Sequence, residues 1–471
     1  MAPSLPTPTI VEVFRVRRTF SRPPGIAVLG NLFDLPKRSP WLGYRKISQK
    51  YGKLVHLQVL GRSILPINNP RIAFDLLEKR SAVNPSRPTS TIVKLMGWEW
   101  NFVWMSYGQQ WRRHRRVFWQ HFHPGVIPTY RAVLEEGARR LLSRLLTTPG
   151  KLEEHLRYAL GVSICKEAHG LDIAEQEDAR MEIFERALRS VDVLVEGATM
   201  REYFPFLAAI PMWLPGTSFL RRLAEDKKYA HSLRELPWTQ VKQAVRKSPA
   251  WIPPNAGEEE GMAMSAVAMV NAADLDTAPL GSLFPALCLH PEVHRKARAE
   301  LDSVVGPNRL PTFADRDALP CVIAIAKELL RWHSALPLGI ARCSVAADEY
   351  EGYFIPANRT ILVNSWSIVH DPENYPEPDR FLLERFLNDG KLDSDVTDPS
   401  GVAFGFGRRI CTERYFADEA LFIFVACVLQ VFDINPPLDE DGRPIRVEPR
   451  ATAGITSHLD DTRSSDLRAS A

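Results

Sequence analysis

The sequence lacks paired cysteines, long apolar runs and a marked excess of either charge. Its six cysteines are widely spaced and form no CxxC pair, which argues against a zinc ribbon and against a secreted disulfide framework. The formal net charge of +3, without a lysine-rich run that carries interleaved aromatic residues, argues against nucleic acid as a partner. No stretch approaches the roughly 20 apolar residues that span a bilayer. We therefore expect reduced thiols, most of which pack as small apolar side chains.

The two ends of the chain differ in composition from the middle. Segment 1–25 is basic and rich in proline, and its one apolar run, 10–14, is interrupted by Glu12, so we expect no complete membrane anchor and no signal peptide there. Segment 456–471 is rich in Ser, Asp and Arg, and we expect it to be flexible. With 45% hydrophobic and 24% charged residues, the chain can bury a large core and a prosthetic group.

Hydrophobic periodicity predicts a mainly α fold with a small β region. Alternating apolar residues in 53–70 predict a β-hairpin, and Asn69 followed by Pro70 predicts the start of a helix. Two β-rich runs around a Pro-Ala-Asn turn, within 349–366, predict a second small sheet. Helical spacing predicts further helices that begin near Tyr130, Glu182, Pro291 and Glu419.

Cys411 lies in the stretch FGFGRRICTER, between an arginine-rich glycine loop and a predicted helix. Cationic side chains and helix N-termini lower the pKa of a thiol and so favour the thiolate, which is a strong metal ligand and nucleophile. Gly405 and Gly407 would let the backbone lie close to a flat ligand. A lone cysteine at a loop-to-helix junction is, however, more often a buried structural residue. This motif alone leaves both interpretations open.

Four further motifs precede Cys411. In chain order they are Trp111-x-x-x-Arg115, Asp276-Thr277, Glu328-x-x-Arg331 and Arg385-Phe386. Each is weak by itself, because Glu-Arg pairs at this spacing are usually solvated ion pairs and basic helices usually face solvent. Their order, followed by Phe-x-x-Gly-x-Arg-x-Cys, carries more information than any one of them.

In this order the motifs make the chain similar to the cytochrome P450 haem-thiolate monooxygenases. Phe404, Gly407, Arg409 and Cys411 match the haem-binding loop of that family residue by residue. The resemblance implies the cytochrome P450 fold, mainly α with a small β region, as a single compact haem domain over 26–455. It also implies haem b ligated by the Cys411 thiolate, which pushes electron density onto the iron and favours O–O cleavage.

The resemblance implies which residues hold the haem propionates. Trp111, Arg115 and Arg409 would donate hydrogen bonds to them, since guanidinium geometry suits carboxylates. Arg342 would be either a further propionate contact or an ordinary surface arginine.

Two other sets of residues acquire roles in the same way. Glu328, Arg331 and Arg385 would form a buried ion-pair network that holds the fold on the proximal side of the haem. Asp276 and Thr277 would be the acid-alcohol pair that delivers protons during oxygen activation. The residues alone also suit a helix break, because Thr277 is a good N-cap and a proline follows two positions later.

Three positions depart from the family pattern. Asp274 stands where a glycine usually keeps the oxygen pocket open, and a buried carboxylate there has to be protonated, paired or turned away. Thr412 replaces a favoured proline, and we expect it to cap the following helix. Glu413 replaces a glycine, and its negative charge beside the thiolate should make the ferric state harder to reduce.

The amino-acid sequence most resembles those of fungal members of the family that oxidise natural products. The implied function is the oxidation of a small hydrophobic natural product in secondary metabolism, with dioxygen and with electrons from a separate NADPH–cytochrome P450 reductase. The aromatic loop 87–105 predicts either pocket lining or an aromatic core cluster. Segment 203–219 either contacts a membrane surface or packs internally. By resemblance the location is the surface of the endoplasmic reticulum membrane; without an anchor it is the cytoplasm.

Two rival functions fit the same motifs. One is a redox-independent rearrangement enzyme on the same fold, against which the retained Asp276-Thr277 pair argues. The other is a family member that no longer catalyses, whether or not it binds haem. Asp274, Glu413 and a C-terminal segment without the expected apolar strand favour this second rival.

Overall fold

The computed structural model describes residues 20–169, 217–245, 276–452, 455–460 and 466–469, with a few positions between 183 and 214. Most of the predicted helix near Glu182 and of segment 203–219, together with Asp274, lies outside the described residues. No helix within these ranges is long and apolar enough to cross a membrane.

Helices dominate the described chain, as the apolar periodicity predicted. The α-helices are α1 (Pro40–Tyr51), α2 (Pro70–Phe74), α3 (Thr91–Leu95), α4 (Gln109–Phe122), α5 (Arg131–Thr147), α6 (Leu152–His169), α7 (Ser218–Val245), α8 (Thr277–Leu289), α9 (Pro291–Val304), α10 (Pro320–Trp332), α11 (Ser365–Val369), α12 (Ser400–Ala403) and α13 (Arg414–Val431). A π-helical turn, Asp75–Lys79, continues α2.

The strands are short and form small sheets. They are β1 (Leu57–Val59), β2 (Arg62–Ile67), β3 (Arg342–Cys343), β4 (Asp348–Tyr350), β5 (Tyr353–Ile355), β6 (Thr360–Val363), β7 (Leu387–Asn388), β8 (Lys391–Leu392), β9 (Phe432–Asn435), β10 (Arg450–Ala451), β11 (Leu459–Asp460) and β12 (Asp466–Ala469). One sheet has the strand order β1-β2-β6-β3, and the remaining strands pair two by two. The mainly α prediction with a small β region is confirmed.

The first predicted hairpin and the helix after it are confirmed. Strands β1 and β2 are antiparallel, with Leu57 opposite Ile64. The side chain of Asn69 accepts a hydrogen bond from the backbone N–H of Ile72 at 3.1 Å, and Pro70 is the first residue of α2. The local signals of an N-cap and an N-terminal proline were therefore sufficient here.

The second predicted sheet is wrong in its pairing. Strand β5 pairs with β4, whereas β6 runs parallel to β2 and antiparallel to β3. Between β5 and β6, Asn358 adopts a left-handed φ of 59°, and its N–H donates to the carbonyl of Ser344 at 2.9 Å. This turn directs β6 away from β5, and the fully buried Ile361 then packs in the larger sheet.

Helix α13 runs through the core and begins beside Cys411. Nearly every residue between Phe416 and Gln430 is buried, and the helix packs against α5, α8, α9 and α10. The apolar periodicity indicated this helix from Glu419; it begins at Arg414, close to the start that the expected Thr412 cap implies. The segment that contains Cys411 is therefore attached directly to the N-terminal end of a core helix.

The C-terminal segment is partly ordered. Strand β11 pairs with β10, and β12 pairs with β9. Ser457 is fully buried: its N–H donates to the carbonyl of Ala335 at 2.8 Å, and its own carbonyl lies 2.7 Å from Nε2 of His333. The expected flexibility from residue 456 onward does not extend to these described residues.

Candidate functional site

A cavity of about 190 Å³ lies at the N-terminal end of α13. Its walls come from α4, from the beginning of α8, from the segment 334–342 and from residues 404–413, which we call the Cys loop. Seven of the sequence-predicted residues line it, namely Trp111, Arg115, Asp276, Arg342, Phe404, Arg409 and Cys411. Gly407 and Thr277 lie next to lining residues but do not line the cavity themselves.

The surroundings of Cys411 favour the neutral thiol. Burial, followed by the negative charge of Glu413, raises the pKa of the thiol to about 12, while the N–H of Glu413 and the charge of Arg115 act in the opposite direction. The expectation of a lowered thiol pKa is wrong, because burial and the charge of Glu413 outweigh the cationic Arg115. Arg408 donates to the hydroxyl of Tyr107 and Arg409 to backbone carbonyls. Coordination to a metal ion deprotonates a thiol outright, so a thiolate here calls for a bound metal.

The two glycines of the Cys loop adopt left-handed backbone conformations. Gly405 and Gly407 have left-handed φ values of 75° and 50°. A Cβ on Gly407 would lie 2.2 Å from the carbonyl oxygen of Leu77, in the π-helical turn. The N–H of Gly407 donates to the carboxylate of Glu78 at 2.5 Å. The close approach at Gly407 is therefore to this turn of the protein.

Four guanidinium groups face the cavity: those of Arg87, Arg115, Arg342 and Arg409. Burial first, and in part the charges of the other arginines, lower the pKa of Arg115 to about 10 and those of Arg342 and Arg409 to about 9. None of the four forms an ion pair with a carboxylate of the described chain. This excess of buried positive charge suits a ligand that carries carboxylates or phosphates.

The same arginines fix the Cys loop. Arg115 Nη2 donates to the carbonyl of Ile410 at 2.6 Å, and Arg342 Nη2 donates to that of Phe406 at 2.7 Å. Arg342 is only 5% exposed, which excludes the surface interpretation, and its Nη1 is buried without a hydrogen-bond partner. Both guanidinium groups thus hold the loop with one nitrogen and retain others that can face a ligand.

Arg409 and Trp111 differ in what they leave free. Arg409 donates to the carbonyls of Pro85, Phe102 and Met105, so all its nitrogens have protein partners. Its guanidinium lies 4.2 Å from the ring centroid of Trp111, whose buried Nε1 has no hydrogen-bond partner. Trp111 therefore retains a free donor, whereas Arg409 mainly fixes the loops around it.

Arg87 begins the loop that the sequence predicted as possible lining, but the sequence reasoning did not single it out as a site residue. Its Nε donates to the carbonyl of Val103 at 2.9 Å, and its Nη1 donates to those of Ile340 and Ala341 at 2.6 and 2.8 Å. The side chain thereby ties the aromatic loop to the segment before β3. A Pro-Ser-Arg-Pro turn at the head of an apolar loop was the only sequence signal.

Glu328, Arg331 and Arg385 form one buried network. The carboxylate of Glu328 accepts hydrogen bonds from Arg331 Nε at 2.7 Å and Nη2 at 2.8 Å, and from Arg385 Nε at 3.3 Å. Glu328 and Arg331 are fully buried, so the solvated surface pair that their spacing usually indicates is not what forms. Arg331 also donates to the carbonyls of Val369 and Pro378, so the network fastens α10 to the segment 369–385.

Asp276 faces the cavity from the beginning of α8. Burial raises the pKa of its carboxyl to about 8, and its Oδ2 is buried without a hydrogen-bond partner. Thr277 is buried beside it. Helix α8 continues from Thr277 through two prolines, Pro279 in its first turn and Pro285 further along. Thr277 is the first residue of the helix, and Asp276 occupies the N-cap position, so the N-cap assigned to Thr277 is wrong.

The residues after Cys411 do not cap α13 as expected. Helix α13 begins at Arg414 with Glu413 at the N-cap position, so Thr412 lies one residue too early to cap it. Glu413 is 2% exposed and lines the same cavity as Cys411, the candidate metal ligand.

Both alternatives for the aromatic loop 87–105 hold in part. Trp98 and Trp100 stack in the core, while Phe102 and Val103 line the cavity.

Comparisons with known proteins agree with this geometry. The sequence model of the family described as "Cytochrome P450" matches residues 21–248 and 259–457. The chain is 37% identical to the cytochrome P450 monooxygenase COX1 of Coprinopsis cinerea, over 93% of this chain and 88% of that protein. It is 33% identical to the tryptamine 4-monooxygenase of Psilocybe cyanescens, over 94% of this chain and 92% of that protein.

A solved structure supports the fold. The chain matches a zebrafish cytochrome P450 determined with abiraterone at a TM-score of 0.74, with 20% sequence identity, over 92% of this chain and all of that one. With the family match over most of the sequence and the fungal relatives above 30% identity, the chain belongs to the cytochrome P450 family and is an oxygen-incorporating oxidoreductase of that family.

Proposed function

We propose that this chain is a haem-thiolate monooxygenase whose haem b is held in the cavity with Cys411 as the axial iron ligand. One observation carries the proposal: a single cysteine and four arginines without carboxylate partners face the same cavity. Haem b brings an iron for the thiol and two carboxylates for the guanidinium groups, so the residues present fit it. The free donors of Arg342 and Trp111 are suited to the propionates. We assign the haem domain to 26–455 and leave 1–25 outside it; of the segment 456–471, Ser457 and strand β12 pack against this domain.

The residues around the cavity support proton delivery to bound dioxygen. Haem-thiolate iron, when bound, supplies the oxygen chemistry, because thiolate ligation favours O–O cleavage. Asp276 keeps its proton at neutral pH because its pKa is raised to about 8, so its carboxyl can donate. Thr277 is adjacent in the chain, and we assign it the alcohol of the relay. Phe102 and Val103 contribute apolar surface to the lining of the same cavity.

The lining supports a small hydrophobic natural product as substrate. Apolar side chains from three segments face the cavity, among them Phe102, Val103, Leu336 and Ile340. The fungal relatives include a protein named for oxidation of tryptamine, which is consistent with a role in secondary metabolism. Electrons would come from NADPH through a separate NADPH–cytochrome P450 reductase.

We also propose a peripheral contact with the endoplasmic reticulum membrane. Three apolar side chains near the start of the described chain are exposed, and basic residues flank them in sequence. They are Ile26, Val28 and Phe33, with Arg22, Lys37 and Arg38. Val28 is 88% exposed on a turn where its φ is 67°, an unfavourable value for a β-branched residue. Exposed apolar groups flanked by cations suit an anionic lipid surface.

The experiment that tests the monooxygenase measures product and electron use together. The haem-loaded full chain is incubated with NADPH, a fungal reductase, isotopically labelled dioxygen and a panel of small hydrophobic metabolites. We expect NADPH consumption that depends on substrate and one labelled oxygen atom in the product. Substrate turnover without NADPH would instead favour the redox-independent rearrangement enzyme.

A second candidate, an impaired family member, is favoured by Glu413. This buried carboxyl raises the pKa of the Cys411 thiol, which weakens its tendency to bind metal as thiolate. Glu413→Gly should then increase the fraction of the chain that retains haem with thiolate ligation. If the wild-type chain already binds haem fully and turns over substrate, the second candidate is eliminated.

A further inference from the structure

Arg414 contacts both Cys411, the candidate metal ligand, and the partly exposed side chain of Trp119. Its Nη1 donates to the carbonyl of Cys411 at 2.8 Å, and its Nη2 donates to the hydroxyl of Tyr415 at 2.8 Å. The guanidinium carbon lies 4.2 Å from the ring centroid of Tyr415 and 5.4 Å from that of Trp119. Trp119, on α4, is 36% exposed.

The position of Arg414 is not one that helix stability favours. It is the first residue of α13, where the partial positive charge of the helix N-terminus repels a cation. An acidic residue would be preferred in that turn. The stability of the helix therefore does not explain an arginine at this position, whereas its contacts with Cys411 and with the two rings do.

Arg414 also opposes the charge of its neighbour. Glu413 is buried and its negative charge acts on the Cys411 sulfur. Arg414 brings a positive charge to the backbone of the same ligand residue. Reduction adds an electron to a bound iron, so a nearby positive charge favours the reduced state and a negative charge disfavours it. Charges and hydrogen bonds around the ligand are among the features that set haem potentials.

We propose that Arg414 is a positioning residue that holds the Cys411 carbonyl and, by its charge, raises the reduction potential of the iron that Cys411 binds. The proposal rests on the haem ligation put forward above. The neighbouring rings of Trp119 and Tyr415, whose centroids lie 6.2 Å apart, both restrain the guanidinium through cation–π contacts. Arg414 thereby compensates in part for the glutamate beside the ligand.

The test is a spectroelectrochemical titration of the haem-loaded full chain. Arg414→Gln removes the charge but keeps a donor, and we expect the equilibrium constant for ferric reduction to fall about three- to tenfold. A tenfold fall corresponds to about 59 mV for a one-electron couple. Arg414→Lys keeps the charge and should retain most of the wild-type potential. The control is Arg298→Gln, which removes a guanidinium that donates to the carbonyl of Leu429 near the far end of the same helix.

A further variant keeps the proposal falsifiable if Arg414→Gln does not retain haem. Trp119→Leu leaves Arg414 in place but removes one of its restraints, and a smaller fall in the same direction is expected. An unchanged potential in whichever of the two variants retains haem overturns the proposal. A fall in Arg414→Lys as large as that in Arg414→Gln overturns its electrostatic part. Failure of the wild-type chain to bind haem overturns the proposed function instead.

Discussion

At the scale of single residues, Cys411 is suited to bind a metal and poorly suited to act as a free nucleophile. Burial and the charge of Glu413 raise its pKa to about 12, so almost no free thiolate exists at neutral pH. Metal coordination reverses this, because it deprotonates the thiol. Among the described residues no cluster of three or more His, Cys, Asp or Glu side chains could hold a metal by itself.

Asp276 gives a pH-dependent prediction. Because burial raises its pKa in the folded chain to about 8, above the value near 3.8 of the unfolded chain, folding favours the protonated acid. The resulting stability is full below pH 4 and is lost as the pH rises towards 8. Asp276→Asn cannot ionise, so its unfolding free energy should equal that of the wild type near pH 4 and exceed it by on the order of 5 kcal/mol at pH 9.

Urea unfolding of both proteins across this pH range measures the effect. The matched control is Asp302→Asn, which changes an exposed aspartate on α9 and should show no such pH dependence. A constant difference between wild type and Asp276→Asn at every pH would contradict the raised pKa.

At the scale of elements, the Cys loop depends on a close contact with the π-helical turn after α2. Gly407→Ala would place a Cβ 2.2 Å from a backbone carbonyl and would also strain a left-handed φ. Gly390 also has a left-handed φ, but a Cβ added there would contact no other atom. Gly390→Ala therefore introduces only the backbone strain, which costs roughly 1–2 kcal/mol. We expect Gly407→Ala to lose most of its bound haem and Gly390→Ala to retain it, as measured by the haem content of the purified proteins.

If both variants retain haem equally, the contact with Leu77 does not fix the loop.

The contact between Gly407 and Leu77 joins residues far apart in the chain, which is why the glycine motif alone led to a different interpretation. Local signals sufficed where the partner is local, as for the Asn69 cap. They failed at Thr412 and at β6, where burial of Phe416 and Ile361 decides where the helix begins and which strand pairs.

At the scale of the whole molecule, the network around Glu328 fastens α10 to the segment 369–385. Glu328→Gln would leave the buried guanidinium groups of Arg331 and Arg385 without a counter-charge, which should lower the unfolding free energy by about 3–5 kcal/mol. The control is Glu377→Gln, which breaks an exposed Glu-Arg pair with the same three-residue spacing and should cause no measurable loss. Denaturant unfolding of the haem-loaded proteins compares the two.

Equal stability of both variants would show that burial adds nothing to this network. Spacing alone could not separate the two pairs, since both are a Glu and an Arg three residues apart. The order of motifs along the chain did identify the buried pair, together with the cysteine and six other residues that line the cavity. It did not identify Arg87, whose role is to join two loops that come together only in the folded chain.

The central claim is that the thiolate of Cys411 ligates haem iron, and the spectrum of the reduced, carbon monoxide-treated, haem-loaded chain tests it most directly. We predict the red-shifted Soret band of a thiolate-ligated haem in the wild type and its loss in Cys411→Ser. Cys321→Ser should keep the band, because Cys321 is a buried thiol whose pKa is likewise raised to about 12 but which does not line the cavity. A wild-type chain that takes up no haem, or a band that persists in Cys411→Ser, would contradict the account.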